Sequence, residues 1–419
     1  MSSIPALTPA LAALLAAAAL CTGWSPAAGA HACQDVAVDA PVRWIAAPYP
    51  AGRRLLKVGP QHEFKTPSAA AATSRDGDVI EIEAGEYTDT ALWTRNELWI
   101  RGVNGRPHMR APARLTQSKA IWVISGRNVT VENVEFSGAK VPARNGAGIR
   151  AQGKGLTVRA ACFRGNENGI LTTNKPDNWL VVEFSEFARN GHGDGKSHNL
   201  YVGRVGHFEM RYSYSHGAQV GHLVKSRALR NLIEFNRLVD DSDGSASYEI
   251  DLPSGGDALV RGNLIVQGQG SPNQTIVSFA AEAKEKATGR LVLAFNTLYS
   301  LRRNPVFVTN RAPAPVVAVN NAYGGAAGRW INGPSEDVGN VQVSPDRGFR
   351  NVSALDFRPA AGSALVDAAT KSGAAGDETG PPSFEPSVNL GGSPRRSLGA
   401  PDVGAFECCT TGQPRAGTR

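Results

Sequence analysis

Apolar residues return along the chain in a six-residue frame: apolar, two variable positions, a small residue or Asn, one variable position, apolar. The frame runs from Val131 to Phe136, Val158 to Phe163, Val182 to Phe187, Met210 to Ser215, Ile233 to Leu238, Val260 to Ile265, Leu293 to Leu298 and Ala318 to Tyr323. Its starts lie 27, 24, 28, 23, 27, 33 and 25 residues apart. Within each interval, short alternating stretches are broken by Gly, Asn and Asp, and no helical periodicity intervenes. That excludes βαβ units. A repeat of this length holds three short strands and three turns, which predicts an all-β fold, a right-handed parallel β-helix.

The fourth frame position reads Val134, Ala161, Ser185, Ser213, Asn236, Asn263, Asn296 and Asn321. Stacked Asn side chains pass amide hydrogen bonds from coil to coil, which satisfies groups costly to bury unpaired. The third position carries Phe184, Tyr212, Phe235 and Phe295, with Gly262 interrupting an aromatic stack. Both columns are structural. Thr66, Pro67 and the Ala-rich stretch to Thr73 read as an N-cap, a proline at the first helical position and a short capping helix. The expected layout is a signal peptide at 1–30, an N-terminal segment and cap at 31–76, the β-helix at 77–325, and an irregular C-terminal segment at 326–419 packing on or capping it.

A second strand precedes each frame. Leu200, Leu223 and Ile250 each stand ten residues before Met210, Ile233 and Val260, which predicts one inward column. Neighbours of an inward residue point outward. Asn199, His222 and Glu249 then stack on the outer face, with Tyr201, Val224 and Asp251 on the other side of the column. His198, Lys225 and Arg227 lie beside them, His192 and Lys196 in the adjoining Gly-rich loop, and His216 in a neighbouring turn. Five of the eight His fall between residues 192 and 222. Packing has little use for that polar density on a strand face, so the patch is the candidate site.

One reaction such a patch could carry out on an extended acidic polymer is elimination, which needs a group to neutralise the carboxylate, a base for the adjacent proton and an acid for the leaving oxygen. Arg227, Lys196, Asn199 or a cation are candidates for the first, His222 or Lys225 for the second, and Tyr201 for the third. His222 with Tyr201 is the preferred acid–base pair. His192, His198, Lys196 and His216 are candidate substrate-binding groups. No cofactor is firmly implied. The one candidate is calcium, on Glu249 and Asp251. Those two carboxylates also leave hydrolysis open.

The formal charge of +7 favours anionic partners such as uronate-rich glycans, nucleic acid or lipid surfaces, and of these the expected one is an acidic polysaccharide. No nucleic-acid partner, no membrane insertion and a monomeric state are expected. Residues 11–21 form an apolar run too short to span a bilayer, and Ala28, Gly29 and Ala30 follow as a small-residue cleavage pattern. The chain is therefore expected to be exported, to the periplasm or beyond. Cys33, Cys162, Cys408 and Cys409 remain after cleavage. Their spacing fixes no pairing, and Cys162 reads as a buried thiol.

Val58 and Gly59, the run from Gly77 to Tyr87, Asp356 to Pro359, Gly362 to Ala364 and Asp402 to Glu407 resemble the opening and ending of bacterial pectate-lyase-like β-helix proteins. The resemblance implies that fold over most of the chain, in a superfamily that includes lyases, epimerases, hydrolases and adhesins. The Val224–Lys225–Ser226 stretch is similar to the Lys-Ser strand of chondroitinase-B-type and alginate lyases, which implies Lys225 as base. That family's calcium carboxylates five and seven residues earlier are Val220 and Ala218 here, and its arginine on the next rung is missing from the run Asp251 to Gly255. Polygalacturonase signatures are absent, although Asp240 and Asp241 are adjacent. The resulting expectation is a lyase acting on a uronate-containing polysaccharide. The alternatives are a non-catalytic glycan-binding β-helix, a uronate epimerase and a glycoside hydrolase.

Overall fold

The computed structural model describes residues 40–240, 244–371, 376–387 and 390–408. The expected signal peptide, Cys33, Asp241 and Cys409 lie outside the described residues. Among those described, three parallel sheets of twelve, ten and eleven strands wind up a single right-handed β-helix of about ten turns. Each complete coil gives one strand to each sheet, so neighbours in a sheet come from consecutive coils. In the twelve-stranded sheet Val182, Met210, Ile233 and Val260 pair in succession. This is the register the six-residue frame predicts. The sixth frame position points inward, and Phe136, Phe163 and Phe187 stack at 5.1 and 4.9 Å in the core.

The turn between the twelve- and eleven-stranded sheets holds the Asn column. Asn236 donates through Nδ2 to Asn263 Oδ1 (3.0 Å), Asn263 to Asn296 (2.9 Å), Asn296 to Asn321 (3.0 Å) and Asn321 to Asn340 (2.7 Å). Ser185 and Ser213 continue the column by accepting from backbone N–H groups. The residue before each column member takes the left-handed conformation that closes this turn: Phe184, Tyr212, Phe235 and Phe295 have φ between 50° and 57°, and Gly262 has φ 64°. Phe184, Tyr212 and Phe235 stack at 5.0 and 5.3 Å. At Gly262 a side chain would meet Pro382 of the C-terminal segment, and Phe384 packs edge-on against Tyr212 and Phe235. The aromatic column is thus the surface on which the C-terminal segment rests.

The N-terminal helix spans Pro67–Thr73, and the Thr66 side chain accepts from Ala69 N as a cap. The coils extend further than the frame does. Strands Arg329–Asn332, Ser335–Val338 and Val341–Val343 add a further rung, so the solenoid ends at Val343 rather than at residue 325. Asn340 holds the ladder position there, but Asp337 and Gly339 disguise the frame. A second difference concerns Cys162, which is buried and disulfide-bonded, as is Cys408, and is not a free thiol.

Asn263→Ala removes one amide that joins its neighbours above and below and leaves buried donors and acceptors unpaired. The expected cost is about 3 kcal/mol, read as a lower urea midpoint. An unchanged midpoint contradicts a structural ladder.

Candidate active site

The ten-stranded sheet carries the site on its outer face. Its strands Ala147–Ala151, Asn168–Thr172, Leu200–Val202, Val224–Ser226, Ile250–Leu252 and Thr275–Phe279 lie side by side. Arg150, Leu171, Tyr201, Lys225, Asp251 and Ser278 pair in succession and form one outward column. The inward column is Leu200, Val224 and Ile250, so the middle rung sits one residue later than the sequence register predicts. The cause is turn length. Residues 203–206 and 253–256 link the flanking rungs to the twelve-stranded sheet, whereas residues 227–229 make the middle turn one residue shorter. A one-residue shift exchanges faces. It brings Lys225 into line between Tyr201 and Asp251.

Side chains from five segments meet here. Lys225 Nζ lies 3.2 Å from Asp251 Oδ2, 3.9 Å from Glu282 Oε1 and 5.6 Å from the centre of the Tyr201 ring. Arg227 Nε donates to the Tyr201 hydroxyl at 3.2 Å, and its two terminal nitrogens each donate to a Glu282 carboxylate oxygen at 2.8 Å. That bidentate bond raises the Arg227 pKa and lowers that of Glu282. Burial raises the Asp251 carboxyl, while Lys225 and the Ser278 hydroxyl pull it back. Tyr201 packs on an apolar floor of Ala120, Val123, Ala147 and Leu171.

The histidines form a layer beneath. His222 is 5% exposed, and its ring stacks on His198 at 4.3 Å, with Tyr248 edge-on at 4.9 Å. His222 N donates to His198 Nδ1 at 3.0 Å, and His222 Nε2 lies 3.5 Å from Asp251 Oδ2. Burial, reinforced by Lys225, drops the His222 pKa to about 3. Burial also takes His198 well below its ordinary value, with His222 adding to the effect. Both rings are neutral near pH 7 and support the floor. His222 is therefore corrected from surface base to supporting group, and buried His198 is corrected from substrate-binding group.

Other expectations part company with the geometry. Asn199 is fully buried in a second amide ladder: it accepts from Asn190 Nδ2 at 3.0 Å and donates to Ser215 Oγ and the His216 carbonyl. Its side chain is consumed by the turn and does not face substrate. His216 belongs to the eleven-stranded sheet, where it pairs with Glu186 at 3.1 Å and stacks on Tyr214. His192 pairs with Glu167 at 3.3 Å in the 191–197 loop. Lys196, in the same loop, lines a cleft beside Tyr201.

The proposed calcium pair does not hold together. Glu249 is fully buried with both carboxylate oxygens unpaired, and burial raises its pKa well above normal, with Asp240 adding to the rise. Asp251 faces Lys225 instead. Among the described residues no three His, Cys, Asp or Glu side chains are grouped to hold a metal ion. Sequence reasoning missed Glu282, which reaches the site from the loop after Thr275–Phe279, and Arg150, two rungs before Tyr201. Its outward alternation was the one available signal for Arg150, and no signal marked Glu282.

No protein-family model and no curated protein matches the chain. Among solved structures, the crystal structure of pectate lyase Pel9A is similar over 85% of this chain and 96% of that one, with a TM-score of 0.60 and 14% identity. An alginate lyase from Paenibacillus sp. str. FPU-7 is 12% identical over 66% of this chain and 95% of its own, with a TM-score of 0.37. The first likeness identifies the fold as the pectate-lyase-like parallel β-helix. Among the described residues no helix is long and apolar enough to cross a membrane.

The pKa of His222 has a measurable consequence. An unfolded imidazole titrates near about 6.5, the folded one near about 3. His222 thus favours the folded state above the first value, and that contribution is withdrawn as pH falls toward the second. In NMR titrations its ring signals should stay constant from about pH 8 to about pH 5. A midpoint near 6.5 would refute the buried, neutral assignment.

Proposed function

We propose that the protein is a lyase that binds a uronate-containing polysaccharide along the outer face of the ten-stranded sheet and cleaves it by β-elimination. The observation that carries this reading is the convergence of Tyr201, Lys225 and Arg227 on that face, with Arg227 already gripping a carboxylate in bidentate fashion. Glu282 supplies that carboxylate in the free protein. Its side chain is 54% exposed, so the pair is weakly held and open to exchange. A substrate uronate takes its place on Arg227, and the neutralised carboxylate acidifies the proton on the adjacent carbon.

Lys225 is the base in this reading. Asp251, 3.2 Å away, positions the Lys225 nitrogen, which acts as the base in its amine form. The amine takes the carbon-bound proton. The electron pair forms a carbon–carbon double bond as the glycosidic carbon–oxygen bond breaks. The Tyr201 hydroxyl, held by Arg227, protonates the departing oxygen. No step requires Glu249, and the residues present do not form the calcium site first expected.

Export belongs to the same reading. It rests on the signal pattern at 1–30 and on the disulfides of Cys162 and Cys408, bonds that persist in oxidising compartments. An extended anionic polymer suits a chain of charge +7.

Incubation with alginate, pectate, chondroitin and glucuronan should give rising ultraviolet absorbance from an unsaturated uronide with at least one of them. Lys225→Ala should lower kcat by about 10² to 10⁴, whereas Glu249→Gln should leave it near the parent value. New reducing ends without absorbance would establish hydrolysis instead. Retention on a glycan column with neither signal would establish a binding protein.

A further inference from the structure

We infer that Arg150 and the cleft around it form a carboxylate-binding subsite for a second uronate of the same polymer, distant from the reacting bond. This rests on the reading that the polymer lies along the ten-stranded sheet. Arg150 shares the outward column with Tyr201 and Lys225, separated from them by two and three rungs. At about 4.8 Å per rung it stands roughly 14 Å from Lys225. A pyranose ring is about as long as one rung spacing, so a polymer following the column brings another sugar of the same chain to Arg150.

The electrostatics single this residue out. Most other buried or partly buried arginines on the coils are paired: Arg101 with Glu132, Arg159 with Glu183, Arg211 with Glu234 and Arg227 with Glu282. Arg150 makes no hydrogen bond or ion pair with any described residue, and its Nε is buried without a partner. Burial alone lowers its pKa, with no anion to offset it. An unpaired, half-buried guanidinium costs folding energy, and its geometry matches a carboxylate.

The surroundings form a cavity for such a group. A cleft of about 450 Å³ opens over Arg150, lined by Arg144, Asn145, Thr172, Asn174, Lys196 and Tyr201. Asn145 Oδ1 is also buried there without a donor, and suits a sugar hydroxyl. Arg144 and Lys196 add two further cations to the lining. Asp194, the acid in the lining, lies 4.0 Å from Arg144. Tyr201 belongs to both the cleft and the reaction centre, and Leu171 between them offers an apolar surface for a sugar face. The subsite would therefore read charge along the polymer, and favour runs of acidic sugars over isolated ones.

The test compares the full-length protein with Arg150→Met and Arg150→Lys. Calorimetry with hexameric uronate oligomers, and with the same oligomers carboxyl-reduced, is run in the Lys225→Ala background to prevent turnover. Loss of a charge-assisted bond to a partly buried cation predicts uronate binding weaker by about 10- to 100-fold for Arg150→Met. Lysine should restore part of the loss, and the reduced oligomer should bind both proteins alike. The melting temperature of Arg150→Met should equal or exceed that of the parent, because no partner is lost. Equal uronate affinity in parent and Arg150→Met overturns the subsite even if elimination is observed. Arg150-dependent binding, together with no ultraviolet product from the protein that retains Lys225, sustains the subsite and removes the lyase reading. No uronate binding by the parent removes both.

Discussion

A buried amide must find partners, and in this protein each ladder Asn finds them only when the coils above and below stand in register. Asn236, Asn263, Asn296, Asn321 and Asn340 each accept from the coil before and donate onward or back to a carbonyl. Slipping one coil by a residue would strand several polar groups in the interior at once. Hydrophobic stacking fills the core, but it tolerates sliding far better than a hydrogen-bonded column does. The ladder therefore fixes the vertical alignment, and that alignment places residues from separate coils side by side.

The active patch is a product of this alignment. Tyr201, Lys225 and Asp251 are about two dozen residues apart in the chain and adjacent in the sheet. The second amide ladder, from Asn166 through Asn190 to Asn199, clamps the corner leading into the Leu200–Val202 strand. His198 and His222, neutral and stacked, fill the space under the patch without adding charge. The result is a rigid floor bearing two cations, a phenol and a buried acid.

The sequence carried the period, the ladder and the helical cap, because each depends on residues close together or on a pattern repeated eight times. It carried the patch only in part. The frame from Met210 to Val260 predicts the twelve-stranded sheet correctly, but the distance from that sheet to the next depends on a turn that loses one residue at 227–229. Alternation has period two, so that single residue moved His222 inward and Lys225 into the column. Alternation extended past the strand ends predicts Asn199 and Glu249 outward, but both sit in corners, where side chains turn inside. Glu282 was invisible because it arrives from a loop whose path no periodicity governs.

A crystal structure of the Lys225→Ala protein with a bound oligouronate would show which sheet carries the polymer and what Arg227 holds. The expected result is a sugar chain running across the coils along the outer face of the ten-stranded sheet, with a uronate carboxylate on Arg227 in place of Glu282. An oligomer seated on either of the other two sheets, or lying on this one with Arg227 still bound to Glu282, would contradict it.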